Sequence, residues 1–253
     1  LGTLASPSLN LGVRGDASSL YGGFLSPSLA VAVPVADGLR FRASASRGFR
    51  APTWTELYYV DPTSVGNANL LPERFWSGDA GARIGHAGGL SLDLGVFARD
   101  AQNLIDWVKP NGAAATVPWV ATNVGDAQYR GVEASLAFPS RRGLESSLGA
   151  TGLNFTDAQG SGLSGKYALR PLTEQVTARA TYALWEPLRA TVELMAAQRA
   201  TEERYVTGNL RLEWDRERAH VTLDLRNLTN AGWLDASGVD VAGREVYLGV
   251  EWR

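Results

Sequence analysis

Residues 205–214 read YVTGNLRLEW, and the parity of this stretch decides the fold class. Val206, Gly208, Leu210, Leu212 and Trp214 occupy one set of alternate positions, while Tyr205, Thr207, Asn209, Arg211 and Glu213 occupy the other. Successive side chains of a β-strand point to opposite faces, so the segment has one apolar face and one polar face. The pattern recurs downstream. Val221, Leu223 and Leu225 oppose His220, Thr222, Asp224 and Arg226, and Val246, Leu248, Val250 and Trp252 oppose Glu245, Tyr247 and Glu251. Upstream, residues 188–194, 132–138, 90–96 and 39–45 alternate in the same way. Adding residues 9–13, 25–33, 76–84, 144–152 and 176–184 gives roughly twelve strands of about 8–11 residues. No stretch of comparable length carries a helical apolar stripe, so the chain is expected to be all-β.

The connections carry a second period. Short turns at 36–38, 86–89, 139–143, 185–187 and 215–219 alternate with long stretches at 47–73, 100–128, 154–174 and 229–243, and a shorter one at 199–204. Tight turns at one rim and long loops at the other are the layout of an antiparallel up-and-down outer-membrane β-barrel, whose tilted strands need about 9–11 residues to cross. A soluble β-sandwich or solenoid alternates identically, because parity does not say whether the apolar face meets a core or lipid. Two features favour lipid. The polar face carries charge on nearly every strand, as a wet or plugged lumen allows. Trp76, Tyr129, Trp185, Tyr205, Trp214, Tyr247 and Trp252 lie near strand ends, where an interfacial girdle would place them.

The averages alone point elsewhere. Of 253 residues, 45% are hydrophobic and 20% charged, the formal net charge is −2 and the mean hydropathy is −0.12. That is the profile of an ordinary soluble domain, yet a barrel gives the same mean when every second residue faces lipid and the others face water. The balanced charge argues against a nucleic-acid partner, which demands an excess of Lys and Arg. The absence of Cys excludes a disulfide framework, a thiolate metal site and a cysteine nucleophile. No apolar run reaches the ~18 residues of a transmembrane helix. The opening LGTLASPSLN lacks the basic and long apolar regions of a signal peptide, which is read as a missing upstream part.

Enzymatic constellations are sparse. His86 and His220 are the two histidines, and neither lies in a metal-binding pattern. No nucleophile elbow, phosphate loop or dinucleotide fingerprint is present. The stretch GSGLSG at 160–165 reads as a loop tip, because no helix follows it. Glu202-Glu203, and Asp224 near Arg226, read as water-facing charges rather than acid–base pairs. No catalytic residue, metal site or resident cofactor is expected.

RASASRGFRAPTWTELYYV at 42–60, followed by GNANLLPE at 66–73, resembles the TonB-dependent outer-membrane receptors. In that family a strand runs into a G-F-R-A-P-T-x-x-E-L-Y loop and then G-N-P-N-L-x-P-E; Ala68 stands here at the usual Pro. FARDAQNLI at 97–105 is similar to the family's F-x-x-D-x-x-N-L-I strand end. NVG at 123–125 with YRGVE at 129–133 resembles N-x-G-x-A-x-x-x-G-V-E, and LRNLTN at 225–230 with GRE at 243–245 resembles the closing strand pair. The likeness runs from about residue 26 to the end, and its specificity lies in the order of the motifs. Arg253 follows Trp252, where the family ends in Phe or Trp.

The resemblance implies that residues 1–253 form the C-terminal part of a transmembrane β-barrel. That part would hold about twelve strands of a barrel of about 22, with the N-terminal plug absent. It implies a non-enzymatic receptor in the cell outer membrane that takes up a scarce nutrient, energised through TonB. Implied partners are outer-membrane lipid, its own plug and remaining strands, TonB, and a metal chelate or cobalamin-like ligand. NLID at 103–106 and AGRE at 242–245 lean towards the cobalamin type over the ferric siderophore type. Candidate ligand contacts are the loop aromatics Trp54, Tyr58, Tyr59, Trp107 and Trp119, since rigid amphipathic rings bind large ligands at small entropic cost. Arg47, Arg50, Glu56, Glu73 and Glu133 are candidates for lining the lumen or meeting the plug. The alternative is that these motifs build the barrel wall and loop bases, with Gly48, Gly66 and Gly131 allowing close approach and Pro52 and Pro72 ending strands. Two other readings stay open: a complete smaller barrel acting as a passive channel or membrane enzyme, and a soluble β-rich binding module.

Overall fold

The computed structural model describes residues 6–86, 88–157, 162–200, 202–235 and 239–252. The elements begin with β1 (Ser8–Ser18), β2 (Gly22–Ala36), β3 (Leu39–Arg50), the helix α1 (Trp54–Tyr58), β4 (Val60–Asp61) and β5 (Ser64–Val65). They continue with β6 (Glu73–Gly85), β7 (Ser91–Gln102), β8 (Ile105–Pro110), β9 (Trp119–Asn123), β10 (Ala127–Ala137) and β11 (Leu144–Asp157). The last are β12 (Leu163–Gly165), β13 (Leu172–Trp185), β14 (Leu188–Arg199), β15 (Tyr205–Arg216), β16 (Ala219–Arg226) and β17 (Glu245–Trp252).

Twelve strands form one sheet in the order β1-β2-β3-β6-β7-β10-β11-β13-β14-β15-β16-β17. The twelve alternating stretches of the sequence fall on these strands to within a residue, and every neighbouring pair is antiparallel. Register keeps the apolar parity in phase: Leu212 faces Leu223, Leu223 faces Leu248, and Val221 faces Trp214 and Val250. The resulting apolar face is open. Leu194 is 51% exposed and Leu248 71% exposed. So extended an apolar surface marks contact with another phase or partner rather than with water. The opposite face is polar and cross-braced: Arg211 holds Asp224 through two bonds of 2.6 and 2.8 Å, and Arg179 meets Glu193 at 3.3 Å.

Trp185, Trp214 and Trp252 cluster at the short-turn end of the apolar face, in register with Leu188 and Ala219, as an interfacial girdle requires. Tyr129, Tyr205 and Tyr247 do not join it. They fall on the polar parity, where Tyr129 packs on Phe155, Tyr205 stacks on Trp233, and Arg226 lies over Tyr247.

Five more strands, in the order β12-β8-β9-β5-β4, form a second sheet made from three of the long loops. Most of the larger buried apolar residues gather here rather than in the wall. One cluster joins Leu57, Leu70, Ile105, Trp107 and Ala121; a second joins Leu104, Val108, Val124 and Ala127. A single-layer sheet has no interior of its own, so the core lies where loops fold over one another at the rim. Among the described residues, no helix is long and apolar enough to cross a membrane.

Candidate functional site

The long-loop rim is the candidate site, and Arg50 organises it. At the end of β3, its guanidinium grips Glu73 through two bonds of 2.8 Å and reaches both carboxylate oxygens of Glu56 at 2.9 and 3.0 Å. Glu73 also accepts the backbone N–H of Ile105 at 2.8 Å, so one guanidinium ties β3, α1, β6 and β8 together. The flat, forked head of arginine suits this two-carboxylate grip. Glu56 serves twice. Its carboxylate accepts from the Thr53 N–H at 2.7 Å while its own N–H donates to the Thr53 hydroxyl at 3.2 Å, a capping box that starts α1. Burial pushes the Glu56 pKa up, but the bonds from Arg50 and Thr53 outweigh it and hold the group below its ordinary value.

Two further side chains fasten loop to loop. The Asn123 amide accepts from the N–H of Leu71 and donates to the carbonyls of Leu71 and Asn103, acting as a strand partner between distant segments. Asp106, 1% exposed, accepts backbone N–H groups of Trp107 at 2.7 Å, Tyr167 at 3.0 Å and Leu169 at 3.1 Å. Burial raises the Asp106 pKa above its ordinary value, and these backbone bonds offset it only in part. Asn227 does similar work for the last long loop, bonding the Ala231 N–H and the carbonyls of Ala231 and Ala242. None of Asn123, Asp106 and Asn227 was singled out from the sequence as a site residue, although each lies within a quoted motif: NVG, NLID and NLTN.

The five candidate aromatics divide. Trp54 (76% exposed) and Tyr58 (53%) stand together on α1, ring centroids 5.2 Å apart, and Tyr59 is exposed beside them with its hydroxyl donating to Asp61 at 2.8 Å. Trp107, a candidate ligand contact by sequence, is 8% exposed and packs in the loop core. Trp119 packs on the same core, and the Lys109 ammonium covers its ring at 4.6 Å.

The candidate charges divide as well. Arg50, Glu56 and Glu73 come together as described. Glu133 lies on the polar wall, 3.3 Å from Arg42, which also bonds Asp93 at 2.6 Å. Arg42, Gly81, Gly95 and Glu133 are in register across four strands. A Cβ on Gly81 would lie 2.8 Å from the Arg42 guanidinium carbon, and one on Gly95 would lie 2.6 Å from the Glu133 carboxylate; the two glycines clear the path between those charges. Arg47 is corrected: it shares the parity of Phe41 and Ala45 and sits opposite Trp76, its guanidinium 6.0 Å from that ring, on the apolar face. Among the described residues, no group of three or more His, Cys, Asp or Glu gathers to hold a metal. Residues 160 and 161 of the GSGLSG stretch lie outside the described residues.

A family model described as the β-barrel of TonB-dependent receptor-like proteins matches residues 3–250. The chain belongs to the TonB-dependent receptor family. Over 106 residues it is 31% identical to the vitamin B12 transporter BtuB of Vibrio vulnificus (strain YJ016), a match that covers 42% of this chain and 17% of the relative. The ferric enterobactin receptor PfeA of Pseudomonas aeruginosa has the same fold, with a TM-score of 0.74 at 18% identity over 98% of this chain and 43% of that one. The siderophore receptor PirA of Acinetobacter baumannii gives a TM-score of 0.74 at 16% identity, again over 98% and 43%. The chain therefore spans less than half the length of these relatives. Members of the family are outer-membrane receptors and transporters of Gram-negative bacteria. The quoted motifs are loop fasteners: the G-F-R-A-P-T-x-x-E-L-Y and P-E segments supply Arg50, Glu56 and Glu73, and the N-x-G segment supplies Asn123.

Proposed function

We propose that this chain is the C-terminal part of the barrel of an outer-membrane receptor that takes up a ferric siderophore or a cobalamin-like chelate. The observation that carries the proposal is the family match across residues 3–250. The geometry is consistent with it. One face of the large sheet is apolar and exposed, the other is charged, and the long loops at one rim are fastened into a platform that displays Trp54, Tyr58 and Tyr59. Rigid rings on a fixed platform bind a large ligand with little loss of conformational freedom. Arg42, Asp93 and Glu133 would face the plug, and movement of that plug would be driven by TonB from the inner membrane. The segment most like a curated relative matches a vitamin B12 transporter, while the similar folds are siderophore receptors, so both ligand classes are tested. Cells carrying or lacking the gene are given radiolabelled cobalamin and radiolabelled iron on several siderophores at nanomolar concentration. Uptake of one ligand that requires both this gene and TonB supports the proposal; uptake by free diffusion, unaffected by loss of TonB, refutes it in favour of a passive channel.

A further inference from the structure

The apolar face carries one feature that ligand uptake does not use. Four strands set eight outward positions in register: Gly78, Ala98, Arg130 and Asn154 in one row, and Ala80, Val96, Val132 and Gly152 in the next. The small residues sink the surface into a groove of about 730 Å³, open outward and lined by these eight residues together with Ser44, Asp79, Phe97 and Gly131. Arg130 is exposed at its upper edge, the fourth residue of β10 counted from the long-loop end. Its parity is that of Val132, Ala134 and Leu136, so its guanidinium stands on the mainly apolar face, which also carries Arg47 and Asp100. Among the described residues it forms no ion pair, although Asp100 lies one row above it on the same face. An arginine on a lipid-facing wall is costly at mid-depth and far less so near the surface, and an anion at headgroup depth relieves that cost. Guanidinium binds phosphate by two parallel bonds, and a trough of small apolar residues beside it offers dispersion contact along a hydrocarbon chain.

We propose that this groove is a binding site for one phosphorylated lipid of the leaflet on the long-loop side. Arg130 and Asn154 hold the phosphate, and an acyl chain lies along Gly78, Ala80, Ala98 and Gly152. The site rests on the outer-membrane placement proposed above, and it depends on neither the plug nor the nutrient ligand. Gly152 gives a direct probe of the trough, because a Cβ there would meet only Val132, at 3.8 Å, and the groove has room for a larger side chain.

The intact protein is extracted from outer membranes in mild detergent and titrated with diphosphorylated lipid A, with binding read by native mass spectrometry. Arg130→Gln and Gly152→Leu are compared with the parent, and folding of each is checked by heat-dependent gel mobility. The expected result is a single tight lipid in the parent, at least tenfold weaker binding in each variant, and no displacement by inorganic phosphate at matched concentration. Folded variants that bind lipid A as the parent does would overturn the site, as would its displacement by inorganic phosphate. A protein that never shows the mobility shift, or that stays monodisperse without detergent, would instead defeat the membrane placement on which the site rests.

Discussion

Arg50→Met is the most informative single change at the rim. The guanidinium is the shared partner of Glu56 and Glu73, whose side chains are 13% and 8% exposed. Removing one member of a buried ion pair costs about 3–5 kcal/mol, because the remaining charge is left without a partner. The Arg50 side chain is itself 38% exposed, so solvent screening brings the expected loss down to about 2–3 kcal/mol. In local opening that corresponds to roughly 30- to 150-fold. The place to look is the Ile105 amide, which donates to Glu73, and the Glu56 amide, which donates to Thr53. Amide hydrogen exchange in Arg50→Met should accelerate at both by that factor, while Leu210 in β15 stays unchanged. Arg50→Lys should fall between, since a point charge cannot grip two carboxylates in a fork. Unchanged exchange at Ile105 in a folded Arg50→Met protein would refute the claim that one guanidinium fastens these segments.

Asp106→Ala should free the amides of Tyr167 and Leu169, at about 1–3 kcal/mol each, and speed protease cleavage within 162–171, whereas Asp106→Asn keeps an acceptor and loses less. The two rim carboxyls should respond to pH with opposite signs. The lowered pKa of Glu56 gives stability that is present above its ordinary value and lost as pH falls through the lowered one. The raised pKa of Asp106 means that ionisation costs stability as pH rises from 3.8 through the raised value, and exchange at the neighbouring amides measured against pH separates them. Trp107→Ala should destabilise the loop platform by about 3–5 kcal/mol, while Trp54→Ala leaves stability unchanged and weakens ligand binding; melting and ligand titration of both variants check this. Because β1 and β17 are the outer strands of the large sheet among the described residues, residues 1–253 alone should aggregate on refolding, and protease-resistant insertion into liposomes would contradict this.

The large sheet was legible because parity needs only local sequence: each strand repeats the test made at 205–214, and twelve repetitions agree. The loop sheet was not legible. Its strands run from β4, with two residues, to β8, with six, too short for any period to register, and they pair across segments far apart in the chain. The helix α1 has five residues and is announced only by Thr53 and Glu56 at capping-box spacing. Trp54 and Trp107 are alike in sequence, both aromatic in long loops, and only the meeting of two loops buries one and leaves the other bare. Arg47 is a different case. Its parity with Phe41 and Ala45 already assigns it to the apolar face, although a charge there runs against the general pattern. Asp106 lies in the NLID motif, but its role was hidden because two of its partners lie some sixty residues later, at Tyr167 and Leu169.

The central claim is that one face of these strands meets lipid and the other meets water. The chain has no Cys, so single cysteines can be placed along Tyr205–Trp214 without background and spin-labelled in the outer membrane. Relaxation by oxygen, which concentrates in lipid, is then compared with relaxation by a water-soluble nickel chelate. The expected result alternates with a period of two: Val206, Leu210, Leu212 and Trp214 respond to oxygen, and Thr207, Asn209, Arg211 and Glu213 respond to the chelate. Equal access of the nickel chelate to both faces, or exclusion of both reagents from the apolar positions as in a protein core, would contradict it.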